Sequence, residues 1–218
     1  GSSSEVKLVF QIEDKRLYSI KIQKDIKSER KGYRTREFNN YLQLDYPLLP
    51  KLYGIYEYDN TLYLKIQYIN GKTLDNLEID KLTFNDKLFI ILQLTLIIKY
   101  FHEKGLVYRD LKPNNIIVDE NKTVFVIDFD RMISEKDSNL NNQKHTAVFS
   151  SEYAAPEINE GIITHKGDIY SLGKVIQCIF MKNDPLINLE KILDENPNNR
   201  PSIDEVLFTL NYIYSSQI

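Results

Sequence analysis

The apolar and polar positions of this chain change rhythm once, near residue 70. Before that point the period is mostly two. The run VKLVFQI from Val6 and the run RLYSIKIQ ending at Gln23 are rich in β-formers and separated by Glu13-Asp14-Lys15, which predicts an antiparallel hairpin. A second hairpin is predicted from LYGIYEY and TLYLKIQYI, with Asp59-Asn60 at its turn. Between the two, residues 28–44 carry Phe38, Tyr41, Leu42 and Leu44 at helical spacing, and the pattern stops before Pro47. After Gly71 the period lengthens. Thr83 is placed to cap a long apolar helix that runs to about Glu103 and is stopped by Gly105. Two short strands follow, Asn115 to Val118 and Val124 to Ile127, around the polar turn Asp119-Glu120-Asn121-Lys122. The stretch from Ser134 to Lys144 is polar and expected to be mobile. Beyond Pro156 helices are predicted over 167–181, near 186–193 and over 202–214. The fold class is therefore α+β: a small β-rich part joined at about Gln67 to Gly71 to a larger helical part, without internal repeats.

Composition narrows the classes. With 218 residues and 42% hydrophobic content the chain can bury a substantial core. A formal charge of −3 gives no bulk attraction to nucleic acid or an anionic membrane. The local basic run Lys27 to Arg36 reads first as a solvated helix start and second as a docking patch. One cysteine, Cys178, excludes an internal disulfide framework and fits a reducing compartment; within the apolar run Val175 to Phe180 it is expected to be a buried small hydrophobe. No membrane span is predicted: the best candidate, Leu88 to Tyr100, is interrupted by Gln93, Thr95 and Lys99. Gly1-Ser2-Ser3-Ser4 has the look of a cloning remnant or a trimmed end, no signal peptide follows it, and a cytoplasmic location is expected, with delivery into a host cell as an effector the alternative.

The densest chemistry lies in VYRDLKPNNIIVDENKTVFVIDFD, from Val107 to Asp130. It sets a carboxylate at Asp110, an amide at Asn115 and a second carboxylate at Asp128 around the two short strands. Taken singly, each is a surface or turn residue. Taken together, the spacing resembles the catalytic loop and metal-binding motif of eukaryotic-type (Hanks-type) protein kinases, HRDLKPxN followed by DFG, here Tyr108-Arg109-Asp110-Leu111-Lys112-Pro113-Asn114-Asn115 and Asp128-Phe129-Asp130. The likeness extends from about Val6 to Tyr214. It implies a bilobal protein-kinase-like fold over residues 1–218, with a small β-rich N-lobe at about 5–69 and a larger helical C-lobe at about 70–216.

The resemblance also implies roles. Phosphoryl transfer passes through a loose transition state, so a protein positions the phosphates, neutralises their charge and orients the attacking hydroxyl. Asp128 and Asn115 would ligate magnesium (or manganese), Asp110 would accept or orient the substrate hydroxyl's proton, and Lys112 would stabilise the transferred group. Tyr18-Ser19-Ile20-Lys21 resembles the strand motif VAIK, whose lysine contacts the ATP phosphates and pairs with a helix glutamate, here Glu37. Ile66 falls at the back of the adenine pocket, Gln67-Tyr68-Ile69 on the hinge, and Val6, Ser19 and Ile117 about the base; core packing competes as an account of Val6 and Ile117. Tyr153-Ala154-Ala155-Pro156-Glu157 resembles the end of the activation segment and Asp168 to Gly173 the start of the central helix, and Glu157 and Arg200 are expected to form a structural ion pair. His102 is expected to pack at a helix end, while His145 and His165 have no metal-ligand spacing. Ser134, Ser138, Thr146, Ser150 and Ser151 are the candidate phosphosites.

Departures from the family pattern set limits. Where a glycine-rich phosphate loop belongs, just before Val6, the sequence offers Gly1-Ser2-Ser3-Ser4-Glu5, so weak ATP binding or a substitute clamp is expected. Tyr108 stands for the motif's histidine. Asp130 stands for its glycine, and either pairs with Arg131 or helps hold a second cation. Only 32 positions separate Asp168 from Arg200, which leaves little room for a substrate-docking helix. The leading expectation is transfer to Ser or Thr of protein substrates, because Lys112 and Ser150 ahead of Tyr153 are typical of that class. Its partners are ATP, the protein substrate and an activating protein. A nucleotide-binding pseudokinase scaffold and a small-molecule or lipid kinase are the alternatives.

Overall fold

Strand alternation builds the first sheet. In the computed structural model, which describes residues 4–24, 31–138, 152–180 and 189–216, β1 (Ser4–Gln11) and β2 (Arg16–Gln23) pair antiparallel, with Val6 opposite Lys21 and Leu8 opposite Ser19. After α1 (Lys31–Gln43) come β3 (Leu52–Tyr58) and β4 (Thr61–Gln67), joined by Asp59 and Asn60 at φ 46° and 55°. Two consecutive left-handed residues suit the right-handed twist of a tight hairpin, and Asp and Asn tolerate that conformation best among side chains. The sheet order is β1-β2-β4-β3. Directly opposed residues share a face, so Ser19, Lys21 and Gln23 lie on the same side as their partners Ile66, Leu64 and Leu62. That is the side covered by α1.

The buried stripe of α1 is Glu37, Asn40 and Tyr41, at 0%, 4% and 6% exposure. Leu42, which the periodicity placed on the apolar stripe, is exposed. The reason is chemical: the sheet face beneath α1 carries Lys21 and Gln23, so polar partners are drawn inward and an apolar one is turned out. These elements, with the returning segment Phe125–Arg131, form one compact unit, Gly1–Asn70 plus Phe125–Arg131.

The second unit, Gly71–Val124 plus Met132–Ile218, is mainly helical. β5 (Gly71–Thr73) pairs antiparallel with β7 (Ile116–Asp119), and a Cβ on Gly71 would come within 2.6 Å of the Val118 carbonyl, so only glycine fits. α2 (Phe84–Glu103) opens on a capping box, in which Thr83 accepts from the Asp86 amide and the Asp86 carboxylate accepts from the Thr83 amide. It buries Leu88, Ile90, Leu94, Ile97 and Phe101 fully, and Gly105 at φ 67° ends it. Its polar interruptions are satisfied. Gln93 bonds the Lys122 carbonyl (2.8 Å) and the Val124 amide (3.2 Å), pinning the turn before β8 (Val124–Val126), and Thr95 bonds the Ile91 carbonyl.

β6 (Leu106–Val107) pairs with β9 (Ile133–Ser134), which runs into the short α3 (Glu135–Ser138). α2 packs against α4 (His165–Phe180) and α6 (Ile203–Ser215), with α5 (Leu189–Ile192) against α4. Gly173 lets α4 and α5 approach: a Cβ there would lie 2.5 Å from Ile192. Cys178 is exposed, contrary to the expectation from its apolar neighbours. The buried stripe of α4 runs through Ile169, Leu172, Val175, Ile176 and Ile179, and helical period 3.6 puts position 178 off it. Arg200 is 2% exposed and donates to both oxygens of Glu157 at 2.6 and 2.8 Å, the expected structural ion pair. Among the described residues no helix is long and apolar enough to cross a membrane. His145, Thr146, Ser150 and Ser151 lie outside the described residues.

Candidate active site

In the first unit three segments deliver charge to one point. β2 brings Lys21, α1 brings Glu37, and the segment after β8 brings Asp128. Lys21 Nζ donates to Glu37 Oε1 at 2.7 Å and to Asp128 Oδ1 at 2.8 Å. Glu37 is fully buried, and its other oxygen accepts from the Gln23 amide nitrogen. Burial alone would lower the Lys21 pKa, but Glu37 and then Asp128 outweigh it and hold the ammonium above its ordinary value. Burial pushes the Glu37 carboxyl up to about 7, against the pull of Lys21, and the charges of Asp128 and Asp130 act in the same direction as burial.

Asp128 has φ 68°, a left-handed conformation uncommon for a residue with a side chain, and its side chain is one-third exposed. The surroundings hold it there. Asn40 donates to the Phe129 carbonyl at 2.7 Å and Tyr41 meets the Phe129 ring edge-on at 4.8 Å, so α1 fastens the residue that follows Asp128. Val6 (62% exposed), Ser19 and buried Ile66 lie on the Lys21 face of the sheet; Ile69 is buried, and the Gln67 amide is bonded to the Lys51 carbonyl at 2.8 Å.

In the second unit a loop between β6 and β7 carries Asp110, Lys112 and Asn115. Lys112 Nζ lies 2.9 and 3.1 Å from the two Asp110 oxygens, and the Asn115 amide nitrogen donates to Asp110 Oδ2 at 2.8 Å and to the Asp110 carbonyl at 2.9 Å. Asp110 and Asn115 are buried to within 8% and 6%. Pro113 opens the short 3₁₀ turn to Asn115, its fixed φ suiting a helical first position, and that turn brings Asn115 back over Asp110. The loop hangs from α4: the Tyr108 and Arg109 amides each donate to Asp168 at 2.8 Å, and His102 meets the same carboxylate at 3.1 Å. Arg109 takes φ 72° there. Tyr108 is fully buried and stacks on Phe101 at 5.6 Å. Ile117 stands half-buried in β7, opposite Thr73.

The candidates thus form two sets. Lys21, Glu37 and Asp128 are brought together in the first unit, where Val6, Ser19, Ile66, Gln67 and Ile69 also lie; Asp110, Lys112 and Asn115 are brought together in the second, which also holds Ile117. Three residues that organise these sets were not singled out for it in the sequence. Asp168 served only as a helix landmark, though a carboxylate at the first turn of an apolar helix asks for donors. Gln23 and Asn40 are polar residues on buried faces, detectable by their period with Lys21 and Glu37.

A family model described as "Protein kinase domain" matches residues 1–191. A probable serine/threonine-protein kinase of Dictyostelium discoideum is 29% identical over 209 residues, covering 91% of this chain and 25% of that protein. Human 3-phosphoinositide-dependent protein kinase 1 is 30% identical over 182 residues, 81% of this chain and 33% of its own length. CBL-interacting protein kinase 21 of Oryza sativa subsp. japonica is 28% identical over 193 residues, 85% of this chain and 34% of its own. The chain therefore spans between a quarter and about a third of the length of these relatives.

Proposed function

The chain belongs to the protein kinase domain family, and from that premise we propose that it is a serine/threonine kinase, transferring the γ-phosphoryl group of ATP to Ser or Thr hydroxyls of protein substrates. The observation that carries this reading is the Asp110 carboxylate, oriented by Lys112 and Asn115 on a loop hung from Asp168. A base must hold one direction to meet a hydroxyl proton. As the new oxygen–phosphorus bond forms and the β–γ bridging bond breaks, Asp110 accepts the hydroxyl proton and ADP departs with the electron pair. Lys112 offsets negative charge on the group in transit.

Lys21, fixed by Glu37, would bind the α- and β-phosphates. By the family resemblance Val6, Ser19, Ile66, Gln67 and Ile69 of the first unit, and Ile117 of the second, are each assigned to adenine binding. The residues present fit a hard divalent cation. The Asn115 nitrogen is committed to Asp110, which leaves the side-chain carbonyl oxygen as a ligand, and Asp128 gives only one of its two oxygens to Lys21. We assign Asn115 and Asp128 to magnesium or manganese, which when bound would neutralise phosphate charge. The two compact units are the lobes of one kinase domain in this reading.

Incubation with labelled ATP, magnesium and a generic basic protein tests it. Label should transfer to the protein and vanish in Asp110→Asn and in Lys21→Met. Nucleotide that stabilises the fold without labelling any protein, this chain included, would make the chain a scaffold. ATP turnover seen only with added sugars or lipids would make it a small-molecule kinase.

A further inference from the structure

Gln23 lies two residues beyond Lys21 on β2 and points to the same face. It is 4% exposed, and its amide nitrogen donates to Oε2 of Glu37, the oxygen that Lys21 does not use. With Glu37 ionised beside the Lys21 ammonium, the carboxylate offers only acceptors and would repel the amide oxygen, so the Gln23 nitrogen faces it. That oxygen, Gln23 Oε1, is buried and has no hydrogen-bond partner among the described residues. A leucine or methionine would fill the same space without stranding an acceptor, so packing does not explain the amide; its bond to Glu37 does.

We propose that Gln23 is a positioning residue that anchors Glu37 to β2 independently of Lys21, so that α1 is held in place before nucleotide binds. Lys21 Nζ is divided between Glu37 and Asp128, and both its partners compete with any phosphate for its protons. With Gln23 in place the Glu37 carboxylate keeps a second donor from the same strand when Lys21 turns toward a ligand. The tie to α1 then survives the step in which Lys21 is busiest. Asn40, bonded to the Phe129 carbonyl, continues the attachment along the same helix face. As a device for catalysis this rests on the kinase reading above; as a mechanical tie it does not.

Native-state hydrogen exchange at the α1 amides of residues 37–43, on the full chain without nucleotide, separates the two. Lys21→Met should leave α1 protection within about threefold of the unaltered chain, while Gln23→Met, matched in shape, should lower it about tenfold and leave the α2 amides unchanged. The double variant should lose more than either. Gln23→Leu serves as a second apolar replacement should the first perturb folding. Protection unchanged in a folded Gln23→Met, or abolished by Lys21→Met alone, overturns the proposal. In the phosphoryl-transfer assay Gln23→Met should lower kcat/KM for ATP about tenfold, whereas a residue that only fills space would leave kcat/KM alone. If the unaltered chain transfers no phosphate, the kinase reading fails, and the exchange contrast still decides whether Gln23 holds α1.

Discussion

The two charged clusters of this chain are built on opposite principles. In the second unit Asp110, Lys112 and Asn115 are separated by two and five residues, and one short turn plus the backbone bonds to Asp168 fix them. In the first unit Lys21, Glu37 and Asp128 come from three segments up to 107 residues apart and hold chiefly one another. A local cluster is as rigid as its loop. A cluster of mutually paired charges is only as ordered as its weakest pair, and each member's protonation depends on the others. The local cluster of the second unit should therefore tolerate the loss of charge structurally while losing chemistry; the paired cluster of the first unit should respond to pH.

The sharpest break is Asp110→Asn. In the proposed reaction it removes the proton acceptor yet keeps an oxygen for Lys112 and Asn115, so transfer should fall about 10³-fold with little change in unfolding midpoint. A comparable loss of stability would mean that the loop, like the first cluster, is held by its charges. Asp168→Ala attacks the support instead. It strips the acceptor from two buried amides and from His102 and should cost on the order of 3 kcal/mol in urea unfolding.

Protons test the first cluster. Burial raises Glu37 from 4.5 to about 7, so the folded chain holds this proton more tightly than the unfolded chain does. Its contribution to stability is complete below about 4.5 and is lost as pH rises through about 7, on the order of 3 kcal/mol in all. Lys21, shifted upward, stays charged throughout that window and adds no slope. Activity should run the other way, since Lys21 is held by the ionised Glu37, giving kcat/KM an ascending limb near neutrality. Urea midpoints from pH 5 to 8 should fall in the unaltered chain and flatten in Glu37→Gln.

What was legible in the sequence follows the same division. The local cluster could be read through its resemblance to the family's motif, because Asp110, Lys112, Pro113 and Asn115 are close in sequence and keep the motif's spacing. The hairpins, the capped α2 and the Glu157–Arg200 pair were equally open to reading, each with a local device or a buried charge that demands a partner. The face of α1 was legible only in part: the resemblance named Glu37 as the partner of Lys21, as the structure has it, but left Asn40 unread. Its period predicted Leu42 inward, whereas Glu37 and Asn40 occupy the interior because Lys21, Gln23 and the Phe129 carbonyl wait there. Those partners lie up to 89 residues away, and no helical window contains them. Cys178 misled for the same reason: apolar neighbours in sequence are not neighbours on a helix face.

The smallest predicted effect probes whether the first cluster has any support that is not charged. Asn40 donates to the Phe129 carbonyl at 2.7 Å, a neutral bond between α1 and the segment that carries Asp128. Asn40→Leu would fill most of the space and remove that amide donor, at a cost of about 1 kcal/mol. If charges alone hold the segment, hydrogen exchange at residues 125–131 should not change. If the amide bond is a separate brace, exchange there should rise about fivefold while the α2 amides stay protected, because the loss is confined to one attachment. The left-handed backbone at Asp128 favours the second outcome, since a strained residue relaxes as soon as its neighbour is released.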